Sequence, residues 1–325
     1  MRVGTVGVVP DVITVTPNPT VDLAVEVDQI RPGIKLRCSD PAIDPGGGGI
    51  NCARVVVELG GTASAFYLAG GVNGQRMRSL LSGRGVEEHA VEIVEETRQS
   101  FHAHPLDGGE LYRFVLPGPE VTTAECDHLV DAVVDQVAPG AVVVASGSLP
   151  PGAPDDLYAH LARAVRERRG RLVLDTTAPA LGLAADEGVF VLRNNQREMA
   201  ELVGRDLSDH ADQEAALAEL VDRGAAEVVL MGLGAEGSLV MTADAAWRIP
   251  APQVEVASVV GAGDSLTGAL ALGLARGWTV ERAAVWAVAA GAAAVMTPRT
   301  ELCRRADVER LVDTIEPRPV RRPGR

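Results

Sequence analysis

Aromatic side chains are scarce. Phe, Trp and Tyr make up 3 % of the 325 residues, so packing must rely on Val, Leu and Ala. Cysteine is equally sparse: Cys38, Cys52, Cys126 and Cys303 lie far apart with no C-x-x-C pair. That spacing argues against a zinc site or a disulfide scaffold and fits reduced, mostly buried thiols. Long apolar runs are missing as well. The longest towards the C-terminus, residues 265–275, stops at Arg276, short of the about 20 residues of a membrane span. The first ten residues hold one Arg and Pro10 and lack the apolar core of a secretory leader, so a soluble cytoplasmic protein is expected. Positive charge is in deficit: 30 Lys and Arg against 44 Asp and Glu give a net charge of −14. This disfavours nucleic acid and acidic membranes as partners but leaves room for a local basic pocket that holds a small anion.

What is abundant is glycine, at 35 residues, within a chain that is 46 % apolar and long enough to bury a large core. The runs VITVT (12–16), VVVAS (142–146), LVLD (172–175), VFVL (189–192) and EVVLM (227–231) read as buried strands. Residues 159–169, 213–224 and 265–277 carry helical periodicity. Their alternation predicts an α/β sandwich on a mainly parallel sheet, with no linker dividing the chain. Two segments break this pattern. In residues 21–43, Val21, Leu23, Val25 and Val27 alternate with Asp22, Ala24, Glu26 and Asp28, and residues 99–115 form a hairpin about Asp107-Gly108-Gly109. Neither is followed by its own helix, so together they predict a small sheet that serves as a lid or a dimer contact. The tail, residues 317–325, is expected to be frayed.

Four stretches carry candidate chemistry. In VVGAGDSLTGAL (259–270), Gly261, Ala262 and Gly263 allow backbone N–H groups to converge at a helix start, which makes an anion site. Asp264 there either caps the helix or faces the bound anion. Gly46-Gly47-Gly48-Gly49 precede Asn51 and a helix from Cys52 to Leu59. They are either a flexible loop or a place where a ligand presses on bare backbone, and they match neither a Walker A loop nor G-x-G-x-x-G. Lys35 and Arg37, two apart on an extended strand, would face one side; with Arg98 they either face water or form an anion pocket. Asn195 and Glu198, at a helix start near a strand's carboxyl end, fit either a capping box or a water-mediated magnesium site.

Eight motifs in order then point to a family: PNPTVD (17–22), KLRC (35–38), DPGGGGINCAR (44–54), TRQS (97–100), LYRFVLPGP (111–119), SGSLPPG (146–152), NNQRE (194–198) and VGAGDS (260–265). Over essentially the whole chain they resemble the ribokinase-like (PfkB) carbohydrate kinases, and within that family most of all the minor 6-phosphofructokinases. The resemblance implies a three-layer α/β/α sandwich with a mostly parallel sheet and a small β-sheet lid, forming a single kinase domain. It implies ATP-dependent phosphorylation of fructose 6-phosphate at the 1-hydroxyl, with ATP and Mg2+. Alternatives are 1-phosphofructokinase or tagatose-6-phosphate kinase activity, or a non-catalytic sugar-phosphate binder. By resemblance Asp264 is the general base and Gly261, Ala262 and Gly263 hold the transferring phosphoryl group. Asp22, Gly47, Gly48 and Asn51 contact the sugar, while Lys35, Arg37, Arg98 and Ser148 clamp its phosphate. Arg193, Asn195, Gly232, Gly234 and Gly237 belong to the nucleotide, with Asn195 and Glu198 holding magnesium through water. A homodimer through the lid strands is also implied. Three positions depart from the relatives' pattern: Arg193 stands for a Lys, Gly232 for a Ser, and Thr176-Thr177-Ala178 for a triplet ending in Gly.

Overall fold

Strands apolar at every position need cover on both faces, and the Val-rich runs receive it. The computed structural model describes residues 10–109 and 111–323; the first nine residues, on which the leader argument rests, lie outside that range. In chain order the strands are β1 (Val12–Thr16), β2 (Thr20–Val27), β3 (Ala42–Gly46), β4 (Ala63–Ala69), β5 (Val86–Glu92), β6 (Arg98–Pro105) and β7 (Tyr112–Val115). They continue with β8 (Val142–Ser146), β9 (Arg171–Asp175), β10 (Val189–Asn195), β11 (Ala226–Gly232), β12 (Ser238–Thr242), β13 (Ala246–Ile249) and β14 (Arg318–Pro319). Ten of them form one sheet in the order β14-β13-β12-β11-β10-β9-β8-β1-β4-β5. From β5 to β11 the pairings are parallel, and β12 to β14 add an antiparallel edge.

Helices cover both faces. On one, Thr123–Val134, Leu157–Glu167 and His210–Asp222 bury Leu129, Leu161 and Leu217. On the other, Gly48–Glu58, Ala262–Ala275 and Val280–Val295 bury Val55, Leu270 and Ala287. This is the expected α/β/α sandwich. The chain leaves β1 for β4 on one side and later returns to β8 on the other, so the strand order reverses between β1 and β8. A reversal of that kind opens a crevice at the carboxyl ends of the strands. Among the described residues, no helix is long and apolar enough to cross a membrane.

The second sheet has the order β3-β2-β6-β7, with β6 and β7 joined as the expected hairpin. Here two expectations are corrected. Lys35 and Arg37 do not lie on a strand: Gly33 turns the chain at φ 78°, and the segment touches the sheet through one bridge, Val27 to Cys38. Pro32 offers no N–H to extend a ladder there. The tail, in turn, does not fray at residue 317. β14 pairs with β13, the Val320 N–H donates to Ala246 O at 3.0 Å, and the buried Arg322 donates to Thr242 O and pairs with Asp222.

Candidate active site

The four glycines sit at the strand reversal and are not a loose loop. The helix begins at Gly48, inside the run and ahead of the expected Cys52, because its first turn must slide under the ends of β8 and β1. A Cβ at Gly48 would overlap Ser146 Oγ, and one at Gly49 would reach within 2.6 Å of Val15 O. Gly47 takes φ 113°, which a side chain would resist. Gly46 packs against the carboxylate of Asp22 on β2. A helix N-terminus with bare backbone and no side-chain cap therefore faces the crevice.

A second such terminus faces it from the helix Ala262–Ala275. Gly261 at its start is left-handed at φ 76°. Asp264 occupies the first turn but makes no cap; its Oδ2 instead accepts from Asn51 Nδ2 at 2.8 Å. One turn further along, Gly268 lets the two helices meet: a Cβ there would lie 2.8 Å from Cys52 O and 3.0 Å from Val55. The Cys52 thiol also donates to Asp264 O at 3.4 Å. The helix pairing thus fixes the carboxylate. Burial, followed by the negative charges of Asp175 and Asp22, outweighs the Asn51 bond and the Arg193 charge and raises the Asp264 pKa to about 6.

Arg193 crosses from the end of β10 to this terminus. Its guanidinium donates to Asp175 Oδ2 at 2.7 Å and lies 3.1 Å from where a Cβ of Gly263 would be. Burial works against its charge, but Asp175, with Asp264 and Glu198, more than offsets that and raises its pKa. Thr267 Oγ1 donates to the same Asp175 oxygen at 3.0 Å. Arg193, Gly232, Gly234, Gly237, Ala262 and Gly263 all line one cavity of about 390 Å³, walled by Val254, Leu266, Val288 and Ala292. The expected nucleotide residues thereby come together, Asn195 excepted.

Asn195 and Glu198 form a full capping box. Asn195 Oδ1 accepts from Glu198 N at 3.0 Å, and Glu198 Oε2 accepts from Asn195 N at 3.0 Å and from Asn194 Nδ2 at 3.1 Å. Glu198 Oε1 takes no bond among the described residues.

The cationic trio is not gathered. Lys35 and Arg37 are exposed and make no ion pair among the described residues. Arg98 turns inward and donates to the carbonyls of Asn18, Pro19 and Leu116 at 3.0–3.4 Å. Its link to Ser148 runs through Asn18, whose Nδ2 stands 3.5 Å from Ser148 Oγ. Asn18 and Asp175 were missed as site residues. Asn18 lies within the PNPTVD motif, whereas Asp175 ends an ordinary apolar strand and gives no local signal.

Comparison with known proteins identifies the family. The model of the pfkB family carbohydrate kinases matches residues 16–306. An ATP-dependent 6-phosphofructokinase isozyme 2 from Mycobacterium tuberculosis is 43 % identical over 304 residues, 94 % of this chain and 89 % of that protein. Its counterpart from Escherichia coli is 38 % identical over 301 residues, covering 92 % and 97 %. The crystal structure of phosphofructokinase-2 from Escherichia coli in complex with fructose-6-phosphate superposes with a TM-score of 0.89 at 37 % identity, covering 94 % of this chain and 99 % of that one. The largely buried carboxylate between two bare helix termini, over a strand reversal and under a small second sheet, thus sits in a chain that belongs to the pfkB family of carbohydrate kinases.

Proposed function

We propose that this chain phosphorylates fructose 6-phosphate at its 1-hydroxyl, using ATP, in the cytoplasm. The observation that carries this reading is the Asp264–Asn51 pair at the head of an uncapped helix. A carboxylate with a pKa of about 6 is ionised at neutral pH yet still accepts a proton usefully. As the sugar 1-oxygen attacks the γ-phosphorus, its proton passes to Asp264 while the bond from that phosphorus to the β,γ-bridging oxygen breaks and ADP leaves. The N–H groups of Gly261, Ala262 and Gly263 hold the phosphoryl oxygens on which charge develops, and Arg193 stands beside them.

The base and ribose of the nucleotide fill the 390 Å³ cavity. Glu198 suits Mg2+ by its chemistry, a hard oxygen with Oε1 uncommitted, and would hold it through water together with Asn195. When bound, the ion would neutralise negative charge on the nucleotide's phosphates. Asp22, Gly47, Gly48 and Asn51 hold the sugar hydroxyls. Three of the five N–H groups of Arg98 are spent on carbonyls, which leaves two for the 6-phosphate beside Ser148. Lys35 and Arg37 complete that clamp from their exposed loop.

The chain as a whole acts as one kinase domain. The lid also serves assembly: Phe101, Tyr112, Phe114, Val115 and Leu116 are exposed on or next to β6 and β7, and a second copy of the chain would cover them. Sedimentation equilibrium should give a dimer. The function is tested by coupled ADP release over fructose 6-phosphate, fructose 1-phosphate, tagatose 6-phosphate and unphosphorylated sugars. Fructose 6-phosphate should give the highest kcat/KM, and preference for another acceptor would overturn the assignment.

A further inference from the structure

Position 102, on the lid strand β6, holds a histidine that is 4 % exposed. Burying an imidazole is costly unless its nitrogens find partners. Nδ1 has none among the described residues, and Nε2 lies 3.8 Å from Asp22 Oδ1. The strand register explains the direction. Across the β2–β6 pair Ala24 faces His102 and Asp22 faces Ser100. Residues two apart share a sheet face. The ring and the carboxylate therefore lie on one side, and the small Ala24 leaves the imidazole room to lean along the strand. On its other flank Asp22 is held by Gly46, where any Cβ would overlap the carboxylate.

Among the described residues, neither nearby arginine forms an ion pair with Asp22. Arg54 donates to Pro45 O, Asn51 Oδ1 and Asp44, and Arg98 donates to three carbonyls. Among the described residues, His102 is the basic side chain within ion-pair reach of Asp22.

We propose that His102 is a positioning residue: its Nε2–H donates to Asp22 and fixes the carboxylate in the orientation that accepts a sugar hydroxyl. Both groups stand on paired strands of one sheet, so a small side-chain rotation closes the 3.8 Å gap to hydrogen-bond length when the sugar binds. This rests on Asp22 being a sugar contact, as read above.

The test is steady-state kinetics on the full-length chain with His102→Leu, His102→Gln, Asp22→Asn and the double variant Asp22→Asn/His102→Leu. His102→Leu should raise the sugar-phosphate KM about tenfold, the value of one hydrogen bond to a charged group, with the ATP KM within about twofold of the parent. His102→Gln keeps an N–H within reach and should restore most of the loss. On the Asp22→Asn background, His102→Leu should add nothing. If the Leu variant melts early, His102→Asn replaces it, its shorter amide falling short of Asp22. A normal sugar KM in His102→Leu beside a raised one in Asp22→Asn overturns the inference and leaves the sugar site standing. Equal impairment in the Leu and Gln variants makes His102 a space-filler and also overturns it. A normal KM in Asp22→Asn overturns the sugar-site reading itself, and the inference with it.

Discussion

The carboxyl edge of the large sheet and the small lid sheet treat their charges in opposite ways. At the sheet edge the key groups are largely buried and already partnered: Asp264 with Asn51, Arg193 with Asp175, and Asp175 with Thr267. In the lid, Lys35 and Arg37 extend into solvent from a loop with one bridge to the sheet. On the proposed reading, the chemistry is assembled in the free chain, whereas the sugar-phosphate clamp would be completed only when its ligand draws Lys35 and Arg37 in. Burial at the edge is what lifts the Asp264 pKa, whereas exposure leaves the Lys35 and Arg37 charges in solvent.

Breaking the edge should cost most. Asp264→Asn removes the proposed base while keeping the Asn51 contact, and kcat should fall at least about 10²-fold with the sugar KM little changed. Next comes the residue that spans both regions. Arg98→Gln should raise the sugar-phosphate KM by about 10²-fold and also lower the melting temperature, because the carbonyls of Asn18, Pro19 and Leu116 lose a half-buried donor. Arg37→Gln, in the exposed loop, should raise that KM only about tenfold and leave the melting temperature unchanged. An equal thermal penalty in both arginine variants would erase the distinction between the regions. The smallest effect is expected at Arg193→Lys. An ammonium can keep the Asp175 pair but not the planar approach to Gly263, so kcat or the ATP KM should shift a few-fold with the sugar KM constant. A change confined to the sugar KM would misplace this residue.

The central strands and helices were legible because a continuous apolar run and a 3.6-residue period each have one structural solution. The Gly46–Gly49 run was open between a flexible loop and a place for a ligand, and the reason for four glycines lies in Ser146, Val15 and Asp22, which only the fold brings to it. Sequence spacing left Asp264 open between a cap and a group facing a bound anion. The fold decides against the cap, since the carboxylate bonds across to a helix more than 200 positions away in the chain. The same spacing left Asn195 and Glu198 open, and there the capping box is realised. Lys35 and Arg37 were misread as a strand because period-2 alternation cannot report that Pro32-Gly33 turns the chain out of the sheet. Asp175 and His102 were invisible for a related reason: each acts through a neighbouring strand or helix, and one chain's local pattern carries no trace of that partner.

The central claim is that Asp264 is a burdened carboxylate before any substrate arrives, and the pH dependence of stability tests it most directly. Its folded pKa of about 6 lies above the ordinary 3.8, so the folded state binds the proton more tightly and the ionised form opposes folding. That cost is fully present above pH 6, about 3 kcal/mol for the shift involved, and disappears below the unfolded value. Asp264→Asn should therefore be more stable than the parent in denaturant titrations at pH 7.5. Its advantage should shrink by about 1.4 kcal/mol for each pH unit lowered between 6 and 4. A stability difference that stays constant across that range, or an Asn variant that loses ground as the pH rises, would contradict a base held ready by burial.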